Sequence, residues 1–459
     1  MIKSDLPKIE KELIEVENLF KDKNEFNIRH YFKKTDNKFI NTFVINGQTF
    51  AYGNFVPDIN NSLEEKRLTK RFAKLSLYKA LSKLTGKTLP WGALTGIRPT
   101  GLAYRLIEER GEFEEYFIDT LKVSKEKTAL TKAVIEAQTN IYEKNDENTD
   151  FFVFIPFCPS RCNYCSFICR DVKRCEGLVD EYVDALVKEI QASKKFIKRL
   201  RSIYIGGGTP IVLSDQNLEK VLSVLDDLSK NVEYTVEAGR PDLINKNNLQ
   251  ILKRHNVNRI CINPQSFSDE VLKSIGRKHD AQSVIDAFNI AKNDFSINMD
   301  FIAGLKGETL ESFCCGIDKA IELSPDNITV HTLCIKHGAD LATSGEKLSE
   351  NDVGKMLSYA NDKLISAGYN PYYLYRQKYM AGNFENTGYS KANKECVYNI
   401  DTMEEISSTV ACGANGISKR VIGSEGRIER VAAPKDVVTY LQKVDDVMEK
   451  KEKLFKTID

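Results

Sequence analysis

Apolar residues in the middle of the chain fall into short runs separated by amphipathic stretches. The runs are FFVFIPF at 151–157, SIYI at 202–205, EYTVEA at 233–238, RICIN at 259–263, INMDFIAG at 297–304 and NITVHTL at 327–333. Between the first two, Val183, Leu186, Val187 and Ile190 stand at the i, i+3, i+4, i+7 spacing of one helix face. Regular alternation of strand and helix predicts an α/β fold whose parallel βα units close into a barrel or part of one. Such barrels carry their chemistry in the loops that follow the strand C-terminal ends.

The first 150 residues have a different texture. Thr42–Ile45 and Gln48–Tyr52 flank Asn46-Gly47, the dipeptide that a two-residue primed turn wants, which predicts a β-hairpin. A helix should follow: Ser62 and Glu65 form a capping-box pattern, Leu68, Phe72, Leu75, Tyr78 and Leu81 recur every three or four residues, and Gly86 supplies the stop. The turn-rich segment PWGALTGIRPTG at 90–101 holds the only tryptophan, Trp91, and the polar stretch EKNDENTD at 143–150 reads as a linker. Beyond residue 430 the pattern is that of an exposed, charged helix. The expected division is an N-terminal α+β domain at 1–145, the barrel at 150–340 and a C-terminal cap at 341–459.

With 459 residues, 42% of them hydrophobic and 29% charged, the composition is that of a globular protein and excludes disorder, collagen and coiled coil as the main architecture. The 66 Lys and Arg balance 65 Asp and Glu without long blocks of either sign, so nothing points to a nucleic-acid coat or a membrane-surface binder. Any recognition of a polyanion must be local. No apolar run approaches the ~18 residues of a membrane span, and the first twenty residues carry acids where a secretory signal is apolar, so a cytoplasmic location is expected. Of eleven cysteines, five lie between Cys158 and Cys175, a clustered distribution that suits a metal site in a reducing compartment and not a disulfide framework.

The sharpest chemical signal is IPFCPSRCNYCSF, where Cys158, Cys162 and Cys165 follow the first apolar run at C-x3-C-x2-C spacing. Three thiolates in one loop suit an iron–sulfur cluster with three protein-ligated irons and a fourth left open to a chelating ligand. Structural zinc is an alternative, although it wants four closed ligands. A closed electron-transfer cluster with Cys169 as fourth ligand is another, because the run from Cys158 to Cys169 has ferredoxin-like spacing.

On this loop the chain resembles the radical S-adenosylmethionine (SAM) enzymes. Residues 151 to about 420 resemble the oxygen-independent coproporphyrinogen III oxidase family, especially its HemZ-type branch, and LPWGALTGIRPT in the N-terminal region resembles that branch too. The resemblance implies a partial (β/α) TIM-like radical SAM barrel with an N-terminal α+β domain and a C-terminal cap. The cofactors it implies are a 4Fe-4S cluster, held by Cys158, Cys162 and Cys165, and SAM chelated to the open iron. It assigns to SAM the segment GGGTP (Gly207, Gly208 and Thr209), Glu237 after the third run, Gln265 and Arg277 of NPQSFSDEVLKSIGRKH, and Asp300 of NMDFIAGLKGETLESF. Arginine suits the SAM carboxylate because its planar fork pairs bidentately, and Asp300 would accept ribose hydroxyls.

The chain departs from well-known members at Phe152 and Phe154, where they carry tyrosine and histidine, and at Phe167, where they carry a further cysteine. The implied reaction is oxidative decarboxylation of coproporphyrinogen III to protoporphyrinogen IX in haem synthesis, with an electron donor such as ferredoxin or flavodoxin. The tetrapyrrole's four propionates would need bases near the barrel mouth, and Arg98, Arg240 and Arg376, with Lys378, are the candidates. Two other readings stand: a haem-binding chaperone of the same family, with KECVYNIDTM where that branch has H-N-x-x-Y-W and with Cys396 and four histidines as potential haem ligands, or another radical SAM reaction on a tetrapyrrole such as methyl transfer with ring opening.

Overall fold

Asn46 and Gly47 both adopt left-handed backbone, φ 48° and 86°, and so close the primed turn that the dipeptide anticipates. In the computed structural model all residues are described except 1, 7, 22–24, 57–61, 166–168, 176, 335–349, 378–379, 424–426 and 457–459, and the side chains of 63, 350, 351 and 381. The chain forms two compact units, the first made of residues 1–132 with 376–378 and 382–384, the second of the remainder.

In the first unit, β1 (Ile2–Ser4), β2 (Ile28–Lys34), β3 (Lys38–Ile45) and β4 (Gln48–Phe55) form one sheet in that order. β1 runs parallel to β2 and the other pairs are antiparallel. Helices Glu10–Asn18 and Ser62–Thr85 pack on one sheet face, where Leu13, Val16, Ile28, Phe39, Phe43, Leu77 and Leu81 form the core. The second helix stops at Gly86, φ 70°, as its glycine predicts. Trp91 is fully buried, and the Arg376 guanidinium lies 5.3 Å from its ring.

The second unit carries β5 (Asn148–Ile155), β6 (Phe157–Cys158), β7 (Arg170–Asp171), β8 (Arg199–Gly207), β9 (Glu233–Val236), β10 (Arg259–Cys261), β11 (Ser296–Ala303), β12 (Asn327–Thr332), β13 (Asn370–Tyr375), β14 (Asn386–Ser390), β15 (Ser408–Cys412), β16 (Ile417–Ile422) and β17 (Arg427–Ala432). Eleven of these make one sheet in the order β13-β14-β12-β11-β10-β9-β8-β5-β15-β16-β17. From β12 to β15 every pair is parallel. Helices Leu178–Ser193, Asp215–Ser223, Lys246–Arg254, Ala281–Ala291 and Leu310–Leu323 return the chain between these strands. This is the α/β, partial (β/α) barrel that the alternation of runs anticipates.

Three segments differ from the expectation. Asn148, Thr149 and Asp150, read as linker, are buried in β5, where Asp150 accepts a 2.6 Å hydrogen bond from Ser202. The segment read as a cap supplies β13 to β17 to the same sheet, with β15 lying directly beside β5. The helix Val437–Lys456, read as exposed, buries Tyr440, Val444, Val447, Lys451 and Leu454. Lys451 is a buried cation: its ammonium stands 2.7 Å from Oε1 of Glu189, with side-chain exposures of 1% and 0%. It also donates to Ser193 Oγ and Cys412 Sγ, while Tyr440 and the Gly413 N–H bond to Oε2 of Glu189 at 2.6 and 2.7 Å. Run-by-run hydropathy reads such a lysine as solvent-facing because its partner lies 262 positions away.

Candidate functional site

β5 leads straight into the cysteine loop. The loop is closed at its base by the short parallel pair β6 and β7, in which Cys158 faces Asp171, and by a 2.8 Å bond from Arg170 N–H to Pro156 O. Its far side is pinned by Asn163, which donates to Ile275 O and Ser274 O at 3.1 Å each. A tight turn joins Cys162 to Cys165, whose N–H donates to Cys162 O at 3.0 Å. The thiols have polar company. Thr209 Oγ1 lies 3.7 Å from Cys158 Sγ, and Arg240 Nη1 lies 4.0 Å from Cys162 Sγ. The hydrogen-bonding Cys169 thiol outweighs burial and, with Thr209, Arg240 and Arg277, brings the Cys158 thiol down to about 7. The same contact and burial push the Cys169 thiol well up. Cys169 therefore touches the predicted ligand set, while Phe167 lies outside the described residues. Among the described residues no three His, Cys, Asp or Glu side chains converge on a single ion.

The glycines after β8 serve close approach. A Cβ on Gly208 would stand 2.3 Å from Phe157 O, and Gly207 has φ 105°. The Gly208 and Thr209 amides donate to Ile155 O and Phe157 O at 2.8 Å, so this turn is bonded to the base of the cysteine loop. Glu237, after β9, accepts from Tyr204 Oη at 2.7 Å and from Gly207 N–H at 3.1 Å. Burial nonetheless raises its carboxyl above the ordinary range.

Gln265 takes left-handed backbone, φ 67°, unusual for a residue with a Cβ, and is bonded into β11 through Asp300 O and the Ile302 N–H. Its buried Oε1 has no hydrogen-bond partner, and neither have Arg277 Nε and Asn263 Oδ1. Buried polar atoms left this way are what a ligand would satisfy. Arg277 donates to Gly239 O at 3.1 Å and to Tyr164 Oη at 2.8 Å, which ties it to the C-x2-C turn. Asp300 accepts from Asn298 at 2.7 Å, and His331 Nε2 stands 3.8 Å from the same Oδ1. Burial would raise the Asp300 carboxyl, but His331 and Asn298 hold it below the ordinary range. Three thiols on one loop, with orphaned amide and guanidinium atoms at neighbouring strand ends, fit a thiolate-bound cluster beside a polar, carboxylate-bearing cofactor.

Sequence reasoning misses part of this constellation. Tyr164 and Tyr375 belong to it unannounced, and His331, read from the sequence only as a potential haem ligand, stands beside Asp300. Phe152 and Tyr398 stack on Tyr204, with centroids at 6.1 and 4.2 Å, so aromatic rings flank Glu237. Phe154 is buried against Gly207.

Two of the three arginines expected to meet a substrate, Arg240 and Arg376, are buried. Arg240 is 3% exposed and forms a bidentate pair with Asp242 at 3.1 and 3.2 Å, beside Ser160 and Cys162 of the cysteine loop. Arg376 is 3% exposed and gives its guanidinium to the carbonyls of Leu94 and Asn383 within the first unit. Arg98 is half-buried and precedes Pro99 in extended backbone, φ −122° and ψ 89°, at the start of helix Pro99–Arg110. Lys378 lies outside the described residues, as does His337. Of the other potential haem ligands, Cys396 is buried on Glu233, His279 is buried against Pro264 O and His255 pairs with Asp226.

No helix among the described residues is long and apolar enough to cross a membrane. Residues 152–314 match the Radical SAM superfamily. The chain is 33% identical to the oxygen-independent coproporphyrinogen-III oxidase-like protein HemZ of Bacillus subtilis, over 88% of this chain and 84% of that protein. It is 28% identical to the heme chaperone HemW of Escherichia coli over 63% of this chain and 75% of that one. The solved coproporphyrinogen III oxidase (HemN) of Escherichia coli, described as a radical SAM enzyme, superposes with a TM-score of 0.54 at 23% identity, covering 70% of this chain and 73% of that one, and shares the fold. The cofactors of this fold are a 4Fe-4S cluster and SAM. With a relative of that identity along almost its whole length, and the Radical SAM match over residues 152–314, the chain belongs to the HemN/HemZ family of radical SAM proteins.

Proposed function

We propose that this protein catalyses the oxygen-independent oxidative decarboxylation of coproporphyrinogen III to protoporphyrinogen IX. The observation that carries the reading is the match to the coproporphyrinogen-III oxidase-like HemZ protein along both units, 88% of the chain, and not over the barrel alone. When bound, the cluster and SAM supply a 5′-deoxyadenosyl radical able to take a hydrogen atom from a propionate β-carbon. Loss of carbon dioxide and transfer of one electron to an external one-electron acceptor would then leave a vinyl group, and the event would repeat on a second propionate.

The chain's own residues position, insulate and hold charge. Cys158, Cys162 and Cys165 would ligate three irons, and the Cys158 thiol, brought down to about 7, ionises more readily than an ordinary thiol. Arg240, fixed by Asp242, brings a cation to Cys162. Gly207, Gly208 and Thr209 would meet the methionyl part of SAM, Gln265 and Arg277 its sugar and carboxylate region, and Asp300 would accept from its ribose hydroxyls. Glu237 stands with them, braced by Tyr204 and Gly207. The rings of Phe152, Tyr204 and Tyr398 keep water from that wall. Electrons would come from a reduced carrier such as ferredoxin or flavodoxin.

A second reading, haem binding without decarboxylation, draws on the similarity to heme chaperones HemW over 63% of the chain. One experiment separates them. Cluster-reconstituted protein is incubated with SAM, a reductant and coproporphyrinogen III under anaerobic conditions, and the products are read by mass spectrometry. Products short of one and then two carboxyl groups support the proposal. Stoichiometric haem binding with coproporphyrinogen unchanged supports the chaperone, and a methylated, ring-opened product supports neither.

A further inference from the structure

His331 lies one strand away from Asp300, on β12, and its side chain is 27% exposed. Its two ring nitrogens face different groups. Nε2 stands 3.8 Å from Asp300 Oδ1, and Nδ1 stands 3.5 Å from Tyr375 Oη on β13. One tautomer suits both neighbours. An ionised carboxylate can only accept, so a proton on Nε2 faces Asp300 and leaves Nδ1 to accept from the tyrosine hydroxyl.

Tyr375 is itself fixed. It stacks on Tyr373 at an interplanar angle of 8°, and Tyr373 Oη lies 3.3 Å from Thr329, which bonds to the same Asn298 that donates to Asp300. Two polar arms, His331–Tyr375 and Asn298–Thr329–Tyr373, meet at Asp300 Oδ1, and their outer ends are joined by the stacking of Tyr375 on Tyr373. The charged and titratable groups facing the imidazole are Asp300, Tyr375 and, at electrostatic range, Glu237. Histidine is the single cationisable member of that set.

We propose that His331 is a positioning residue for Asp300: oriented by Tyr375, it engages Oδ1 and keeps the carboxylate ionised, leaving Oδ2 as the acceptor for the hydroxyls of SAM. The inference rests on the reading that Asp300 accepts from SAM. A carboxylate whose one oxygen is engaged cannot swing, so less rotamer freedom is lost when the ligand's hydroxyls arrive.

The test is the SAM dissociation constant of cluster-reconstituted variants, with cluster absorbance and melting temperature as controls. His331→Phe should weaken SAM binding about tenfold, whereas His331→Gln, which keeps an N–H donor, should lose about threefold or less. On an Asp300→Asn background, His331→Phe should cost nothing further. Equal losses in the Phe and Gln variants, or additive losses in the double variant, overturn the proposal. Wild-type affinity in Asp300→Asn overturns the SAM role of Asp300 and this inference with it; a weakened Asp300→Asn beside an unaffected His331→Phe overturns the inference alone. A second readout needs no cofactor. The Asp300 carboxyl carbon resonance should titrate at higher pH in His331→Phe than in the wild type, and an unchanged titration refutes the electrostatic link.

Discussion

Lys451→Met removes the ammonium from the buried network that joins the C-terminal helix to the Leu178–Ser193 helix. At 2.7 Å and an effective dielectric constant near 20, the attraction to Glu189 is ~6 kcal/mol, set against a desolvation penalty of several kcal/mol for each ion. The pair is therefore worth little net, but breaking it is expensive. Glu189 stays buried with only the Tyr440 and Gly413 donors, and such losses run at about 3–5 kcal/mol. For a unit of this size the melting temperature should fall by roughly 5–10 °C, taking about 2 °C per kcal/mol. Differential scanning calorimetry and urea titration of the full chain would measure it. Glu189→Gln combined with Lys451→Met removes both charges and should recover more than half of the loss, because the remaining groups are neutral and hydrogen-bonded. A single variant within ~1 kcal/mol of the wild type would refute the reasoning, as would a double variant no more stable than the single one.

Alanine at Cys158, Cys162 or Cys165 should abolish the 4Fe-4S absorption and SAM cleavage, whereas Cys169→Ser should retain the cluster and the change in its electron paramagnetic resonance signal on adding SAM; cluster loss in Cys169→Ser as severe as in Cys158→Ala would make Cys169 a ligand. Arg277→Lys gives up the fork that bonds Gly239 O and Tyr164 Oη, so SAM affinity measured by equilibrium dialysis should drop about tenfold with the cluster intact, and an unchanged affinity would remove Arg277 from the SAM site. Burial alone would raise the Asp242 carboxyl, but the neighbouring His279 ring and the Arg240 fork hold it well below the ordinary range. Its contribution to stability is thus complete above the unfolded value of about 4 and is lost as pH falls through the folded one. Asp242→Asn should be less stable than the wild type at pH 7, and the gap should narrow below about pH 4. A constant gap from pH 7 to pH 3 would show that Asp242 acts through packing.

The central strands were legible because each apolar run is local and bounded. SIYI at 202–205 became β8 at Arg199–Gly207, and INMDFIAG at 297–304 became β11 at Ser296–Ala303. The hairpin and the helix ending at Gly86 were equally local, since turn and stop residues act within a few positions. The cysteine loop and GGGTP announced themselves by spacing alone. Long-range partnerships stayed hidden. Nothing in EYTVEAGR tells that Arg240 turns back onto Ser160 and Cys162, or that Arg376, after a tyrosine-rich strand, closes on Leu94 and Trp91. Asp150 looked like linker because its polarity was read without Ser202, the partner that permits its burial. His331 reads from the sequence only as a potential haem ligand, because its neighbour Asp300 lies on another strand, 31 positions away.

The pairing of β5 with β15 also sets a timetable. Ile155 emerges from the ribosome about 250 residues before Ser408, which at roughly 5–20 residues per second is a wait of about 13–50 s. During that interval the strand that carries the cysteine loop has β8 on one side and an open edge on the other, and the Tyr182 hydroxyl that bonds Phe154 O waits for Ala414. An unpaired edge next to three reduced thiols is a hazard for aggregation and for adventitious metal capture. Cluster insertion therefore belongs after β15 has been made and has closed the edge of β5.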